Sequence, residues 1–138
     1  MAVTQRGRDV VEVFGRAPST YGRVGPDFFS FFGRRIVAMI AATLGGSVLD
    51  VGCGAGATLV AASAALDEPA LAVGVDLSRG MLVRACDAVA GTGVEVRVAL
   101  ADAERLPFPN GVFDAVVSTL RWVTFHHPSV PSRRYVAS

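Results

Sequence analysis

The segment that most constrains the fold of this chain is a strand-like run that leads straight into a glycine-rich loop. Residues 48–51 are apolar except for one aspartate, and glycine then occupies every second position, at Gly52, Gly54 and Gly56. Residues 57–65 have the composition of a helix. Because glycine has no Cβ, such a loop lets the backbone approach a ligand closely. The segment is typical of α/β proteins that hold a nucleotide or a nucleoside.

Length and composition indicate a single folded domain. The chain has 138 residues, of which 51% are hydrophobic, enough for one core. Its net charge of +1 favours neither nucleic acid nor an anionic membrane as a partner. Two cysteines, Cys53 and Cys86, suit neither a disulfide framework nor a zinc site. Residues 1–8 lack the apolar core of a signal peptide, and no apolar run approaches the ~20 residues of a membrane span. We therefore expect a cytoplasmic protein without a membrane span or a metal.

Strand-like and helix-like segments alternate along the chain from residue 47. The predicted strands are residues 47–51, 71–75, 94–99 and 113–117, and the predicted helices between the first three are residues 57–66 and 78–89. This alternation predicts a doubly wound parallel sheet with helices on its faces.

Residues 1–44 are predicted to form a helical cap ahead of the first strand. Residues 5–14 have the spacing of a short helix, and Asp27 is placed to cap a second helix that continues to about residue 44. The apolar residues of this second helix recur at helical spacing: Phe28, Phe29, Phe31, Phe32, Ile36, Val37 and Ile40. We interpret it as a helix that packs on the sheet, which is compatible with a lid over a substrate pocket.

Three acidic residues lie at or just after the ends of predicted strands, namely Asp50, Asp76 and Asp102. Ligands of open parallel sheets bind at the carboxyl ends of the strands. Asp76 follows Gly56 by 20 residues, the usual position of a carboxylate that accepts both hydroxyls of a ribose. Purely structural roles remain open: Asp76 as a cap near the helix that starts at Ser78, and Asp102 as a loop residue.

The glycine loop alone does not identify the ligand. Gly52, Gly54 and Ala57 also satisfy the dinucleotide pattern GxGxx(G/A). Asp50 stands two positions before the first glycine, where it can face the cationic amino acid end of a ligand. A third acid follows the third strand, and a long helical segment precedes the first strand, whereas dinucleotide domains commonly begin at that strand.

Four blocks carry a family resemblance: VLDVGCGAG at 48–56, GVDLS at 74–78 with Met81, ADAERLPF at 101–108 and FDAVVS at 113–118. In this order and spacing they resemble the class I S-adenosylmethionine-dependent methyltransferases, especially the bacterial group like the ubiquinone/menaquinone-biosynthesis enzymes. The resemblance covers roughly residues 10–118. It implies a Rossmann-like fold, S-adenosyl-L-methionine as cofactor, and SN2-type transfer of the sulfonium methyl group to a small-molecule acceptor.

The resemblance also implies roles for residues of the first strand and its loop. Asp50 would hold the ammonium group of the methionine portion, directly or through water. The backbone at Gly52, Cys53 and Gly54 would pass beneath the methionine and ribose portions, and Gly56 completes the loop. Cys53 is interpreted as a small residue between two glycines and not as a nucleophile.

Residues after the second and third strands would bind the nucleoside. Asp76 would bind the ribose hydroxyls, and Leu77 would pack on the adenine. Asp102 would accept a hydrogen bond from the adenine amino group, with a backbone contact from Ala103 beside it.

Other implied positions lie near the methionine end or over the cofactor. Ser118 and Thr119 would lie beside the methionine portion, and Tyr21 stands where relatives often have a tyrosine that closes over the cofactor. His126 and His127 are adjacent, so that on a strand they would point to opposite faces and could not chelate one ion together. No catalytic residue is assigned.

The family pattern stops at about Ser118, which divides the chain into a helical cap (1–44), a cofactor-binding half-domain (45–118) and an atypical tail (119–138). We therefore expect a truncated methyltransferase domain whose activity is open. The alternatives are a non-catalytic cofactor-binding or interaction module and a dinucleotide-dependent oxidoreductase. Without a fifth strand, the fourth strand becomes an apolar edge, which predicts self-association unless residues 121–130 fold back over it.

Overall fold

The computed structural model describes residues 28–40, 45–67, 70–118 and 135–137. Its helices are α1 (Phe28–Ile40), α2 (Ala57–Ala65) and α3 (Arg79–Val89), and its strands are β1 (Ser47–Val51), β2 (Leu71–Asp76), β3 (Glu95–Leu100), β4 (Ala115–Ser118) and β5 (Tyr135–Ala137). The predicted short helix at 5–14, the Asp27 cap and the stretch 121–130 lie outside the described residues. No helix within the described ranges is long and apolar enough to cross a membrane.

The five strands form one parallel sheet in the order β3-β2-β1-β4-β5. In its register Leu49 of β1 lies between Val73 of β2 and Val116 of β4. The next residue along β1, Asp50, lies opposite Gly74. The predicted parallel sheet is confirmed, and β1 is its central strand, where the direction of strand addition reverses.

Alternation along the strands gives the sheet two apolar faces. The first face carries Val48, Ala72, Ala115 and Val117, and the helices share its apolar cluster through Leu59 and Ala62 of α2, Leu82 of α3, and Ile36 and Val37 of α1, which packs against α2. Every one of these side chains is less than a tenth exposed. Burial of apolar surface is the main source of stability in a small domain, and it contributes about 25 cal/mol for each Å² removed from water.

The second face carries the alternate strand residues, which are Leu49, Val51, Val73, Val75 and Val116. The loop between β3 and β4 packs on this face, with Ala101, Ala103 and Phe113 buried and Leu106 and Phe108 partly buried. The rings of Phe108 and Phe113 meet edge to face with centroids 5.1 Å apart, a favourable aromatic geometry. The loop that contains Asp102 is thus anchored by its own apolar residues.

The amino ends of β1 and β4 are joined through Asp114. Its Oδ2 accepts hydrogen bonds from the backbone N–H of Gly46 (3.0 Å), the backbone N–H of Ser47 (3.1 Å) and the Ser47 hydroxyl (3.0 Å). The backbone N–H of Asp114 in turn donates to the carbonyl oxygen of Ser47 at 3.1 Å. This cluster lies at the end of the sheet opposite Asp50 and fixes the position of β4 beside β1.

Two structural expectations were wrong. Strand β4 is not an edge, because β5 pairs with it in parallel, with Val117 opposite Val136. The tail therefore covers β4, and the covering residues are 135–137. Three phenylalanines of α1 do not lie on its buried face either: Ile36 and Val37 are buried, whereas Phe29 is 37%, Phe31 52% and Phe32 44% exposed. Gly33 is buried together with Ile36 and Val37, and a Cβ on it would come within 3.1 Å of Cα of Thr58 on α2.

Candidate functional site

Three carboxylates gather at the carboxyl ends of the neighbouring strands β1, β2 and β3. Asp50 is the penultimate residue of β1, Asp76 is the last residue of β2, and Asp102 follows β3 by two residues. Since the strands are parallel and adjacent, these ends share one edge of the sheet. The edge lies beside the central strand, where open parallel sheets bind ligands.

The glycine loop is pinned to the end of β2 by three hydrogen bonds. The backbone N–H groups of Gly52 and Cys53 both donate to the carbonyl oxygen of Val75, at 2.8 and 3.0 Å. The N–H of Gly54 donates to Oδ2 of Asp76 at 2.9 Å. The loop therefore has a fixed path across the carboxyl ends of β1 and β2.

Gly54 and Gly56 have left-handed backbones but opposite surroundings. Gly54 has φ +52°, and a Cβ built on it would meet nothing within 4 Å. Gly56 has φ +89°, and a Cβ there would lie 3.1 Å from Cα of Ala85 on α3. Gly56 thus allows the start of α2 to approach α3, while Gly54 leaves open space above the loop.

Asp50 is almost completely buried and lacks an internal partner. It is 1% exposed, and neither of its carboxylate oxygens accepts a hydrogen bond from the residues that the structure describes. Burial, and secondly the charge of Asp76, raises the pKa of Asp50 to about 7. An unpartnered buried carboxyl is costly unless a ligand supplies the missing donors or charge.

Asp76 is oriented by two backbone groups. Its Oδ2 accepts from Gly54, and its Oδ1 accepts from the N–H of Ser78 at 2.9 Å. The helix cap itself is Ser78, whose hydroxyl accepts from the N–H of Met81 at 3.3 Å. Asp76 is therefore a partly buried side chain that joins the glycine loop to the start of α3, and each of its oxygens keeps capacity for a further hydrogen bond.

The two carboxylate oxygens of Asp102 differ in their hydrogen bonding. Its Oδ1 accepts from the N–H of Glu104 at 2.9 Å, while its Oδ2 is buried and has no hydrogen-bond partner in the described part of the chain. Asp102 is 3% exposed. The loop role that the sequence left open for Asp102 is thus present, in its hydrogen bond with Glu104. That bond uses only Oδ1 and leaves Oδ2 available to a ligand.

Among the described residues, carboxylate oxygens without a hydrogen-bond partner thus lie on both sides of Asp76, on Asp50 of β1 and on Asp102 after β3. Residues 48–137 match the family described as "Methyltransferase domain". The chain belongs to this methyltransferase family.

Curated relatives of this methyltransferase-family chain include two with matches over most of its length. Aklanonic acid methyltransferase DauC of Streptomyces sp. (strain C5) is 34% identical over 113 residues, 81% of this chain and 51% of the relative. Nocamycin O-methyltransferase of Saccharothrix syringae is 36% identical over 123 residues, 87% of this chain and 42% of the relative. The chain therefore spans about half the length of the curated relatives it matches.

Solved structures agree with the fold. A SAM-dependent methyltransferase from Aquifex aeolicus superposes with a TM-score of 0.60 at 26% identity, over 73% of this chain and 55% of that structure. The Rossmann-like class I methyltransferase fold inferred from the sequence is confirmed.

The cysteines of this methyltransferase-family chain differ in environment. Cys53 is buried, and its Sγ lies against Gly74, where an added Cβ would come within 2.9 Å of it. Burial, followed by the charges of Asp50 and Asp76, raises the pKa of the Cys53 thiol far above its usual value. Its burial against Gly74 is that of a packing side chain. Cys86, on α3, is exposed.

The remaining site residues of the methyltransferase-family chain divide into two groups. Ala103 and Ser118 are buried, and Leu77 is half-buried at the end of β2. Tyr21, Thr119, His126 and His127 lie outside the described residues. Within the described ranges, no group of three or more His, Cys, Asp or Glu side chains could hold a metal ion.

Two features of the site were missed by sequence reasoning. The carbonyl oxygen of Val75 accepts from two loop amides, and Asp76 clamps Gly54 across 22 positions of sequence. No sequence signal points to the first feature, because a backbone carbonyl is present at every position. The spacing of Asp76 from the glycines is the only available signal for the second.

Proposed function

We propose that this chain binds S-adenosyl-L-methionine and belongs to an enzyme that transfers its methyl group to a small organic acceptor. The observation that carries the proposal is the pair of buried carboxylates with unpartnered oxygens, Asp50 and Asp102, on either side of the clamped Asp76. The reported relatives are methyltransferases by name, two of them with small-molecule substrates in their names.

Asp50 is proposed to receive the ammonium group of the methionine portion. An ammonium group has three donors and a positive charge, which suits a buried carboxylate with two free oxygens. Gly52, Cys53 and Gly54 would run beneath the same portion of the ligand, where the absence of a Cβ on Gly54 leaves open space. Ser118 would lie beside this end from β4.

Asp76 is proposed to bind the two ribose hydroxyls. A carboxylate has about four acceptor sites, and two of those on Asp76 are used by Gly54 and Ser78. The remaining two can each accept one hydroxyl. Because the backbone already holds the side chain in place, little rotamer entropy would be lost when the ligand binds.

The adenine is proposed to lie between the ends of β2 and β3. The free Oδ2 of Asp102 would accept from its amino group, with the backbone of Ala103 beside it. Leu77 would pack on the ring, and Tyr21 would close over the cofactor. The base would then be selected by one charged acceptor and one apolar contact.

S-adenosylmethionine, once bound, would supply an electrophilic methyl group on its sulfonium for transfer to an acceptor nucleophile, with a neutral thioether as the leaving group. The residues described here hold the donor in place, and such transfer depends mainly on placing donor and acceptor in line at short range. No side chain of the described site is assigned as a base.

The dinucleotide alternative is disfavoured by charge. Asp50 lies directly before the glycine loop, where a dinucleotide would place its anionic diphosphate, and its ionised carboxylate would repel that group. Asp76 does not distinguish the two ligands, because dinucleotide folds also use a carboxylate there to bind a ribose. The non-catalytic alternative, a module that binds the cofactor without methyl transfer, shares the same site and differs only in turnover.

Calorimetric titration of the purified chain with S-adenosylhomocysteine and, separately, with NAD tests the proposed cofactor. We expect saturable binding of S-adenosylhomocysteine and none of NAD at the same concentrations. Tighter binding of NAD would overturn the proposal. Incubation with S-adenosylmethionine and a panel of small organic acceptors that includes aklanonic acid, the acid in the name of one relative, is read by mass spectrometry of the acceptor and then separates an enzyme from a binding module.

A further inference from the structure

Asp50 occupies an unusual electrostatic position for a ligand-binding group. It lies on the central strand, 1% exposed, and neither oxygen has a hydrogen-bond donor in the described part of the chain. The ionised form of such a group is strongly disfavoured until a cation arrives. The protonated form carries no charge and avoids most of that cost.

The groups around Asp50 further disfavour its ionised form and place no positive charge beside it. Strand β2 contributes the carboxylate of Asp76, and the glycine loop contributes the Cys53 thiol. Strand β4 (Ala115–Ser118) and helix α2 (Ala57–Ala65) carry no ionisable side chain. The other two helices on this side of the sheet carry arginines, Arg34 and Arg35 on α1 and Arg79 and Arg84 on α3, but none of them offsets the burial of Asp50 or the charge of Asp76. A negative charge on Asp50 therefore faces another negative charge and no positive one among these elements.

We propose that Asp50 holds a proton in the ligand-free protein and releases it to solvent when the ammonium group of the cofactor binds. This inference rests on the proposed function. The carboxylic O–H bond breaks and its proton passes to the buffer, while the ligand's ammonium keeps all of its own protons. The product is a carboxylate–ammonium pair, so one positive charge enters the site and one leaves it.

The proposal predicts that binding is coupled to pH in the acidic direction. Burial and Asp76 raise the pKa of Asp50 to about 7, so below this pH the protein must lose a proton before it can hold the ligand. The affinity for S-adenosylhomocysteine should then fall by close to tenfold for each pH unit below about 7. One pH unit above this pKa, at about pH 8, only about a tenth of the proton release should remain, while the ligand is still an ammonium ion.

Calorimetry in buffers of different ionisation enthalpy measures the released proton directly. S-adenosylhomocysteine is titrated at about pH 6 in phosphate and in a histidine-type buffer. The two binding enthalpies should differ by the difference between the ionisation enthalpies of the buffers, multiplied by close to one released proton per ligand. Asp50→Asn replaces the protonated acid by a neutral group of the same shape. This variant should bind more weakly but release no proton, with an affinity that is flat over the same pH range.

Asp76→Asn is the matched variant. It removes the neighbouring negative charge but leaves Asp50 in place, so proton release should persist with its midpoint moved to lower pH. Carbon-13 NMR of the aspartate carboxyls in the ligand-free chain gives a second readout. One carboxyl signal should titrate near neutral pH and be missing in Asp50→Asn.

The outcomes separate the two claims. Binding of S-adenosylhomocysteine without proton release at about pH 6, or a ligand-free Asp50 that is already ionised there by NMR, overturns this inference and leaves the proposed function in place. No binding at any pH overturns both.

Discussion

The backbone N–H of Gly54 donates a 2.9 Å hydrogen bond to Oδ2 of Asp76, and this contact ties the glycine loop to the end of the neighbouring strand. The other oxygen of Asp76 accepts from Ser78 at the start of α3. One side chain thus sets the relative position of a loop and a helix that both border the proposed ligand. Its removal should disturb the loop as well as the ligand contacts.

Asp76→Ala should weaken the binding of S-adenosylhomocysteine by roughly tenfold to a hundredfold. The ribose hydroxyls would lose a charged acceptor, and hydrogen bonds to charged groups contribute about 1.5–3 kcal/mol. Calorimetry measures the change, with Asp87→Ala on the exposed surface of α3 as a control for the loss of one carboxylate. An affinity equal to that of the parent chain would remove Asp76 from the site.

Gly54→Ala and Gly56→Ala should have different consequences, although both residues have positive φ. Each alanine carries the cost of a left-handed backbone, about 1–2 kcal/mol. At Gly56 the new Cβ also meets Ala85 of α3, so urea denaturation should show the larger loss of stability there. At Gly54 the new Cβ meets no atom of the described residues within 4 Å, and the larger effect should be on ligand affinity.

Gly91→Ala provides the matched control for that pair. Gly91 has φ +83°, and a Cβ on it meets nothing within 4 Å, but it lies in the turn after α3, away from the carboxyl ends of the strands. The Gly91→Ala variant should lose about as much free energy of unfolding as Gly54→Ala, and it should bind S-adenosylhomocysteine as tightly as the parent chain. Equal affinities for Gly54→Ala and Gly91→Ala would contradict a ligand above Gly54.

Asp50→Asn should change how stability depends on pH. Burial and Asp76 raise the pKa of Asp50 from 3.8 to about 7, so between these values the folded chain holds a proton that the unfolded chain does not. The stability contributed by this proton is present below about pH 4 and is lost as pH rises to about 7. The rise in pKa corresponds to at most about 4 kcal/mol.

In that experiment the free energy of unfolding is measured by urea denaturation at several pH values. The difference between Asp50→Asn and the parent chain should grow in favour of the variant from about pH 4 to about pH 7 and then remain constant. Asp87→Asn, at an exposed position, controls for the charge change. A difference that does not vary with pH would show that Asp50 titrates alike in the folded and unfolded chains.

Asp114→Ala should destabilise the chain without altering the site. The variant loses three hydrogen bonds to Gly46 and Ser47 and leaves two backbone N–H groups without this partner, which costs about 2–4 kcal/mol. Chemical denaturation gives the loss. Under conditions where the variant is folded, its affinity for S-adenosylhomocysteine should equal that of the parent, because Asp114 lies at the opposite end of the sheet.

Deletion of residues 135–138 should promote self-association. Strand β5 covers β4 through the pairs Val116–Tyr135, Val117–Val136 and Ser118–Ala137, and its removal exposes an apolar edge that can pair with another chain. Light scattering should report a larger mean mass for the shortened chain than for the full chain at equal concentration. Equal masses would mean that β4 needs no cover.

The sequence by itself determined the class of fold and the edge of the sheet that carries the site. Alternating strands and helices dictate a parallel sheet, because consecutive parallel strands need crossover connections. Glycines after β1, and aspartates at the ends of β1, β2 and β3, must then share one edge. The strand boundaries were correct to within two residues, since apolar runs and turn residues are local signals.

Only the tertiary structure decided which of these residues touch and which remain alone. The contacts between Gly54 and Asp76 and between Ser47 and Asp114 span 22 and 67 positions, and no local pattern encodes a pairing over such distances. The isolation of Asp50 follows from what packs around it, which depends on strand order. The pairing of β5 with β4 was missed for the same reason: three residues are too few to show a periodic pattern, and it is the open edge of β4 that makes them a strand.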